Sequence, residues 1–472
     1  MTSVVTLRSC TKKSNLCFST PLLLRRRKMP SIIGSSSSLL ASPLEASHVS
    51  VSHPLMMIPS DEKDEDGRSL CRFYDYLNEK VVNTNIKIPE EVEHAICVGS
   101  SHGWLAYISR LDCSVFLWSP FTASPLISLP PIHTLPFITV IPREEVDEEN
   151  PDDVLERYKG DTLHYKWKTA YESDDDFLPD FGFKVEWDYP DQSKSFYTRS
   201  PKRLILNLIR KIVFSSVPTS DDCIVVALPG LSTHRSIAFC KPGDKSWTFV
   251  EPPLKKYYDI VDVIHFKDQL FYTITSSGHT LYAYDLADLS SPKSYLVKTS
   301  LEYFRLPLSS LEEYTRRYEW CQERYYLVES LGDLLWVRRI FTNYMNGDGE
   351  IIFNYKLLKF PDQTIMFDVY RLDFSQNTWK YIKCIGDQSL FLGTNQSLSL
   401  PARDFPSLKA NCIYFTDDSC EIHKKYPPCD REGYGGHDYG HYELGGYAFG
   451  EFCRFGDGRI LPPPFWVMRH FH

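Results

Sequence analysis

From Asp268 to Asp285 the chain reads Asp-Gln-Leu-Phe-Tyr-Thr-Ile-Thr-Ser-Ser-Gly-His-Thr-Leu-Tyr-Ala-Tyr-Asp, and this stretch decides the fold class. A β-branched and aromatic run, Leu270 to Thr275, stops at Ser276-Ser-Gly278, and a second run follows from Thr280 to Asp285. Two such runs on either side of a Gly-containing turn read as an antiparallel hairpin. The same grammar recurs along the chain. Gly332-Asp-Leu-Leu-Trp-Val337 is followed by Phe367-Asp-Val-Tyr-Arg-Leu-Asp373 and Asn377-Thr-Trp-Lys-Tyr-Ile382. Asp222 to Leu228 leads to Ser236-Ile-Ala-Phe-Cys240 and Gly243-Asp-Lys-Ser-Trp-Thr248. Gly103-Trp-Leu-Ala-Tyr-Ile108 leads to Val115-Phe-Leu-Trp-Ser-Pro-Phe-Thr122 and Ile127-Ser-Leu-Pro-Pro131.

Each unit is a hairpin punctuated by a Trp or by Leu-Pro-Pro. A repeat whose sheet cannot bury both faces alone is the signature of a β-propeller, where neighbouring blades cover each other. Trp118, Trp247 and Trp379 are then expected between blades, because an indole buries a large area between adjacent sheets. A pair of sandwiches would not repeat the Trp position. At roughly 45–50 residues per blade, the spacing predicts an all-β, irregular, kelch-like propeller of about six to seven blades over 49–472. Helix is expected only at Ser309–Tyr318 and Ser69–Glu79.

Two insertions break the repeat. Residues 143–200 are read as a projecting, partly disordered acidic insertion, since seven of the ten residues from Glu144 to Asp153 are acidic and Asp174 to Asp176 add more. A smaller insertion is expected at 342–360, and Gly433–Gly450 reads as a long loop near the last blade.

The 472 residues are 43% hydrophobic and 24% charged, with 31 Pro and 23 Gly, a balance that excludes fibrous and disordered classes. No apolar run is long enough to span a membrane. The net charge of −9 argues against a nucleic-acid partner, because phosphate binding needs concentrated positive charge. Charge is nevertheless uneven: Met1–Leu44 holds seven basic residues, ten Ser and four Thr, with no Asp or Glu. A basic, hydroxyl-rich, acid-free leader is what organelle import selects, so 1–48 is read as a disordered transit peptide engaging import machinery. Starting at Met29 would delete most of that address and leave the protein in the cytosol or nucleus.

Candidate chemistry is sparse. The thirteen cysteines include no C-x-x-C pair. Cys420, His423, Cys429, His437, His441 and Cys453 concentrate zinc-type ligands near the C-terminus, but only Cys420-x-x-His423 and His437-x3-His441 resemble the tight pairs zinc needs, so a polar surface loop is the stronger reading. Gly99-Ser-Ser-His-Gly103 satisfies G-x-S-x-G literally, yet a strand-like run follows it where a nucleophile elbow requires a helix. Asp417-Asp418 could hold a metal between paired carboxylates, although a strand-terminating turn fits better. Asn395-Gln-Ser397 is a glycosylation sequon in form only, because the leader points away from secretion. Arg316-Arg317 and Arg338-Arg339 read as salt-bridged surface. No phosphate-binding glycine loop and no zinc-protease motif is present. No cofactor is expected.

Several longer stretches carry a family resemblance: Gly99-Ser-Ser-His-Gly-Trp-Leu105, Ser119-Pro-Phe-Thr122 with Leu129-Pro-Pro131, Tyr326-Leu-Val-Glu-Ser-Leu-Gly-Asp-Leu-Leu335, Phe367–Asp373, and Gly386-Asp-Gln-Ser-Leu-Phe-Leu-Gly393 with Asn411-Cys-Ile-Tyr-Phe-Thr-Asp-Asp418. Over roughly Pro54 to Trp466 the chain resembles the plant KIB-type β-propeller family, often found behind an F-box. The family motif positions fall at Gly103, Trp104, Trp118, Pro120, Phe121, Trp247, Gly332, Asp333, Trp379, Gly393, Cys412, Tyr414, Phe415, Asp417 and Asp418. The resemblance implies an interaction platform with no catalytic residues to carry over. Between Glu45 and Val98 no Leu-Pro-led helical module of the F-box kind is found, so the chain looks like an organelle-targeted branch, with mitochondria expected before chloroplasts. The expected function is a non-catalytic scaffold for a protein partner. A ubiquitin-ligase substrate adaptor is the alternative, and an enzyme or ligand binder at the channel mouth, with Asp417, Asp418, His437 and His441 as first suspects, is a weaker one.

Overall fold

The computed structural model describes residues 53–142, 181–188, 194–199, 208–230, 236–254, 259–301, 321–343, 362–418, 436–444, 448–449 and 464–468, less isolated positions within those spans. The leader and four of the zinc-type residues, Cys420, His423, Cys429 and Cys453, lie outside them, as does the expected helix at Ser309–Tyr318.

Six sheets form the ring. Blade 1 orders Phe465–Val467, Leu55–Ile58, Leu70–Asp75 and Lys80–Lys87, so strands from the two ends of the chain share one sheet. Blade 2 holds Ala95–Ser101, Trp104–Ser109, Val115–Trp118 and Ile127–Ser128. Blade 3 holds Ile209–Phe214, Val225–Pro229, Ile237–Cys240 and Thr248–Val250. Blade 4 holds Ile260–Phe266, Leu270–Thr275, Leu281–Asp285 and Lys293–Val297. Blade 5 holds Cys321–Ser330, Asp333–Asn343, Asp362–Asp373 and Thr378–Ile382, with Ser300–Leu301 added in parallel at its outer edge. Blade 6 orders Leu398–Pro401, Gln388–Leu392, Cys412–Phe415, Gly440–Glu443 and Ala448–Phe449.

The first strand of each order lies innermost and touches its counterparts in the adjacent blades, from blade 1 through blade 6. The structure thus takes the lower of the two blade counts, and its periphery explains why. Among the described residues of the acidic insertion, Phe181–Asp188 and Lys194–Arg199 pair with Ile138–Pro142 in a three-stranded sheet separate from the six blades. That part of the acidic insertion is therefore sheet.

Six apolar clusters fill the six blade interfaces. Trp118 packs between blades 1 and 2, Trp247 between 2 and 3, and Trp379 between 4 and 5. Trp247 also explains the Leu-Pro-Pro motif of the preceding blade. Its Nε1–H donates to the Pro130 carbonyl at 2.8 Å, and its backbone N–H donates to Thr134 Oγ1 at 3.1 Å.

Two sequence expectations are corrected. Ser69–Glu79 is not a helix: Leu70–Asp75 is a strand with alternating burial over its first half, paired on both sides, and Glu79 closes the following turn at φ 50°. Its apolar residues Leu70, Phe73, Tyr74 and Leu77 carry helical spacing, but two waiting strands satisfy its backbone groups better than an isolated helix would. Gly433–Gly450 is not wholly loop either, since Gly440–Glu443 and Ala448–Phe449 extend blade 6.

Candidate binding site at the channel mouth

At one end of the ring the inner strands of blades 2 to 5 begin, and their first residues surround a cavity of about 420 Å³. Three of these strands are bulged where they line it. The pairing shifts by one residue between Cys97 and Gly99, between Ile209 and Lys211, and between Ile260 and Asp262. The extra residues are Val98, Arg210 and Val261, and all three line the cavity. A bulge re-aims a side chain and bends its strand, a device common beside binding sites.

A segment that leaves blade 6 contributes to the cavity wall. After Gln388–Leu392 the chain crosses from blade 6 to blade 2, past blade 1, and hydrogen-bonds there: Gln396 N–H to the Ser100 carbonyl at 2.8 Å, and Ser101 Oγ–H to Gln396 Oε1 at 2.7 Å. Gly393 and Thr394 of this crossing line the cavity. A Cβ on Gly393 would stand 2.1 Å from Thr416 Oγ1, and one on Gly99 would stand 2.2 Å from the Ile212 carbonyl oxygen of blade 3. Both glycines serve close approach of backbone to neighbour. Asn395 is buried at 1% exposure with its amide donating to Phe391 and Gln396 carbonyls, so the sequon is inaccessible to a glycan in the folded chain.

Charge in the cavity is organised in pairs, those of Asp262 and Asp418 across blades and that of Glu323 within blade 5. Lys211 Nζ donates to Asp262 Oδ1 at 2.6 Å with both side chains buried, and Asp262 Oδ2 accepts from Leu327 N–H at 2.7 Å. Blades 3, 4 and 5 are joined by this one carboxylate. Asp418 accepts from Arg324, from Arg339 Nη1 at 3.3 Å and from the Tyr326 hydroxyl at 2.7 Å. Glu323 accepts from Arg338 at 2.6 Å and from Tyr325. Burial, reinforced by the Asp418 charge, raises the Tyr326 phenol, which therefore stays protonated and donates.

Behind this wall Arg339 is only 2% exposed, which corrects its reading as surface. It donates to Thr364 Oγ1 at 2.8 Å, to the Thr416 carbonyl at 2.9 Å and to Asp438 at 3.0 Å, and stacks over Phe415 at 4.7 Å. Burial opposes its charge, but Tyr326 and the carboxylates Asp438, Asp418 and Asp417 outweigh that and raise its pKa. Asp417 accepts the backbone N–H groups of His437 and Asp438 at 3.1 and 3.2 Å. Of the suspected residues, Asp417, Asp418 and His437 thus gather around Arg339, whereas His441 lies elsewhere. Its Nδ1 meets the Tyr76 hydroxyl at 2.6 Å and its Nε2 meets Lys409 at 3.1 Å, between blades 6 and 1. Burial, helped by Lys409, lowers its pKa to about 4. Among the described residues no group of His, Cys, Asp or Glu is placed to hold a metal.

The remaining motif positions are scattered through the blades. His102 and Gly103, both at positive φ, make the two-residue turn between Ser101 and Trp104, so the G-x-S-x-G string ends in a hairpin and a strand. Leu331 and Gly332 repeat that turn before Asp333, which faces Arg371 at 3.5 Å on the surface. Ser119 Oγ–H donates to the Gly103 carbonyl at 2.8 Å, fixing the turn in which Pro120 precedes Phe121, whose ring stacks on Phe73 of blade 1. Trp104 and Cys412 are buried, and Tyr414 stacks on Phe391 at 5.0 Å. Sequence reasoning missed Arg210, Lys211, Asp262 and Arg324, because nothing local marks a bulge or the strand ends that meet across a ring.

The KIB1-4 β-propeller family model matches residues 73–443. The chain belongs to that family. The KIB1-4 match takes in blades 2 to 5 entire, most of blade 6, and of blade 1 the strand Lys80–Lys87 with the second half of Leu70–Asp75. Related proteins of Arabidopsis thaliana include a putative F-box protein 27% identical over 45% of this chain and 49% of its own length, and the F-box protein SKIP23, 24% identical over 39% and 41%. A further F-box protein is 30% identical over 26% of this chain and 31% of its own. The chain spans about half or less of the length of these relatives. Among solved structures, an inactive virginiamycin B lyase from Staphylococcus aureus aligns over 69% of this chain and 84% of its own at 9% identity, with a TM-score of 0.24 that carries no argument. Among the described residues no helix is long and apolar enough to cross a membrane.

Proposed function

We propose that this KIB1-4 propeller is a non-catalytic protein-interaction module that binds its partner at the channel mouth. The observation carrying this reading is the state of the lining carboxylates. Asp262, Asp418 and Glu323 each accept from at least two groups of the protein itself, so none is poised as a general base. The bulged strand ends offer shape and hydrogen-bonding capacity instead. We also propose that the module works in an organelle, first a mitochondrion, because of the basic, acid-free leader from Met1 to Leu44.

The test captures partners from plant mitochondrial extracts with wild type, with Ile96→Trp, which fills the mouth, and with Leu331→Asp, which alters an exposed hairpin at the opposite end of a blade 5 strand. A partner lost only with Ile96→Trp supports mouth binding, and one lost with neither variant refutes it. Full-length chain and a form starting at Met29, both carrying C-terminal fluorescent tags, test the address: only the former should enter the organelle. A second reading, a ubiquitin-ligase substrate adaptor, is favoured by the F-box proteins among the relatives. Copurification with Skp and cullin subunits would establish it.

A further inference from the structure

We propose that the channel mouth receives a bulky, uncharged apolar side chain carried on a protein partner, held against Ile96, Val98, Val261 and Tyr325. This rests on the interaction reading above and specifies the chemistry of what enters the cavity. Every lining charge is engaged inside the protein: Lys211 with Asp262, Arg324 with Asp418, Glu323 with Arg338 and Tyr325, and Arg210 with the Ile260 carbonyl. Three cations, Arg210, Lys211 and Arg324, stand against three carboxylates, Asp262, Glu323 and Asp418, so the lining is neutral as a whole. A charged occupant would give up its hydration and find each counter-charge already paired, a loss that an uncharged occupant does not incur.

What the mouth offers a ligand is therefore apolar surface. Ile96 and Val98 come from blade 2, Val261 from blade 4, and Tyr325 and Phe341 from blade 5. Two of the three bulges place a β-branched apolar residue, Val98 or Val261, at the cavity wall, and a bulge re-aims the side chain it inserts. Ile96, Val261 and Tyr325 are only partly buried: each packs against a core cluster and also lines the cavity. Covering them with a further apolar group removes that remaining area from water. A cavity of about 420 Å³ admits one side chain rather than a folded surface, and a single anchor residue seated in a pocket is how interfaces concentrate their binding energy.

The experiment is calorimetric titration of the full chain with blocked pentapeptides identical except for a central Trp, Leu, Ser, Glu or Lys, and with indole alone. The Trp and Leu peptides are expected to bind saturably and at least tenfold tighter than the other three. Their binding should show a negative heat-capacity change and no weakening as salt rises. Ile96→Trp, which fills the mouth, and Val261→Ser, which removes apolar wall, are each expected to cost at least tenfold in affinity for both apolar peptides. Both residues also pack against the core, so whichever variant keeps the wild-type circular dichroism spectrum decides, and the peptide ranking decides without either. No saturable binding of the apolar peptides, a Glu or Lys peptide bound as tightly as they are, or undiminished binding by a folded variant overturns the proposal. Indole binding as tightly as the Trp peptide overturns the claim that a protein chain carries the apolar group. Should Ile96→Trp abolish partner capture while no apolar peptide is preferred, mouth binding stands and apolar recognition falls.

Discussion

Arg338 and Arg339 are identical neighbours in sequence and opposites in the fold. Successive side chains of a strand point to opposite faces, so Arg338 meets Glu323 and Asp368 near solvent while Arg339 enters the interior among Asp417, Asp418 and Asp438. Replacing Arg339 by Met should cost about 3–5 kcal/mol in urea denaturation, because buried carboxylates lose their counter-charge. Arg339→Lys should restore only part of that, since an ammonium cannot reproduce the fork that reaches Thr364, Thr416 and Asp438 together. Gly99→Ala should cost about 1–3 kcal/mol by forcing blade 2 away from the Ile212 carbonyl. Gly332→Ala, in open space at φ +80°, should cost about 1 kcal/mol from backbone conformation alone. Comparing the two denaturation midpoints separates close approach from conformational strain.

The strand Gly440–Glu443 illustrates how an element sets its residues' chemistry. It carries His441 into the interface of blades 6 and 1, against Tyr76, Tyr414, Lys409 and Glu443. The folded pKa near 4 lies below the ordinary 6.5, so as pH falls below 6.5 the unfolded chain takes up a proton that the folded site refuses. This stability is present above 6.5 and lost as pH falls towards 4. His441→Gln should therefore flatten the fall in denaturation midpoint between pH 7 and 4, whatever it costs at pH 7. Strands whose composition alone marks them, such as Trp104–Ser109 and Leu270–Thr275, were legible to the residue in sequence. Leu70–Asp75 was not, because its apolar spacing mimics a helix and only its partners in blade 1 decide otherwise. The mouth was less legible still. Arg210 owes its place to a one-residue mismatch between two strands, and the lining at Gly393 and Thr394 belongs to a crossing held by a hydrogen bond between Ser100 and Gln396, nearly three hundred positions apart.

At the scale of the molecule, closure of the ring depends on a short contact. Phe465–Val467 pairs with Leu55–Ile58 over three residue pairs, and this antiparallel join is what makes blade 1 from both ends of the chain. Propellers leave only short, protected sheet edges while the ring is closed. Removing the inner strand would expose the edge at Leu55–Ile58 and uncover Met56 and Tyr74 on one side and Leu55 and Phe73 on the other. Trp466 adds a second component, because its fully buried indole packs edge-on against Phe391 of blade 6 at 5.1 Å and against Tyr76 at 6.1 Å. Trp466→Ala keeps the backbone join but empties that space, and should cost about 3–5 kcal/mol while leaving a single cooperative unfolding transition. Deleting 464–472 removes the join itself. Blades 1 and 6 should then loosen before blades 2 to 5, so near-ultraviolet circular dichroism and tyrosine fluorescence would no longer report coincident transitions in urea. Coincident transitions in the deletion variant would mean that the side-chain packing of blade 6 against blade 1 closes the ring, with the strand pairing contributing little.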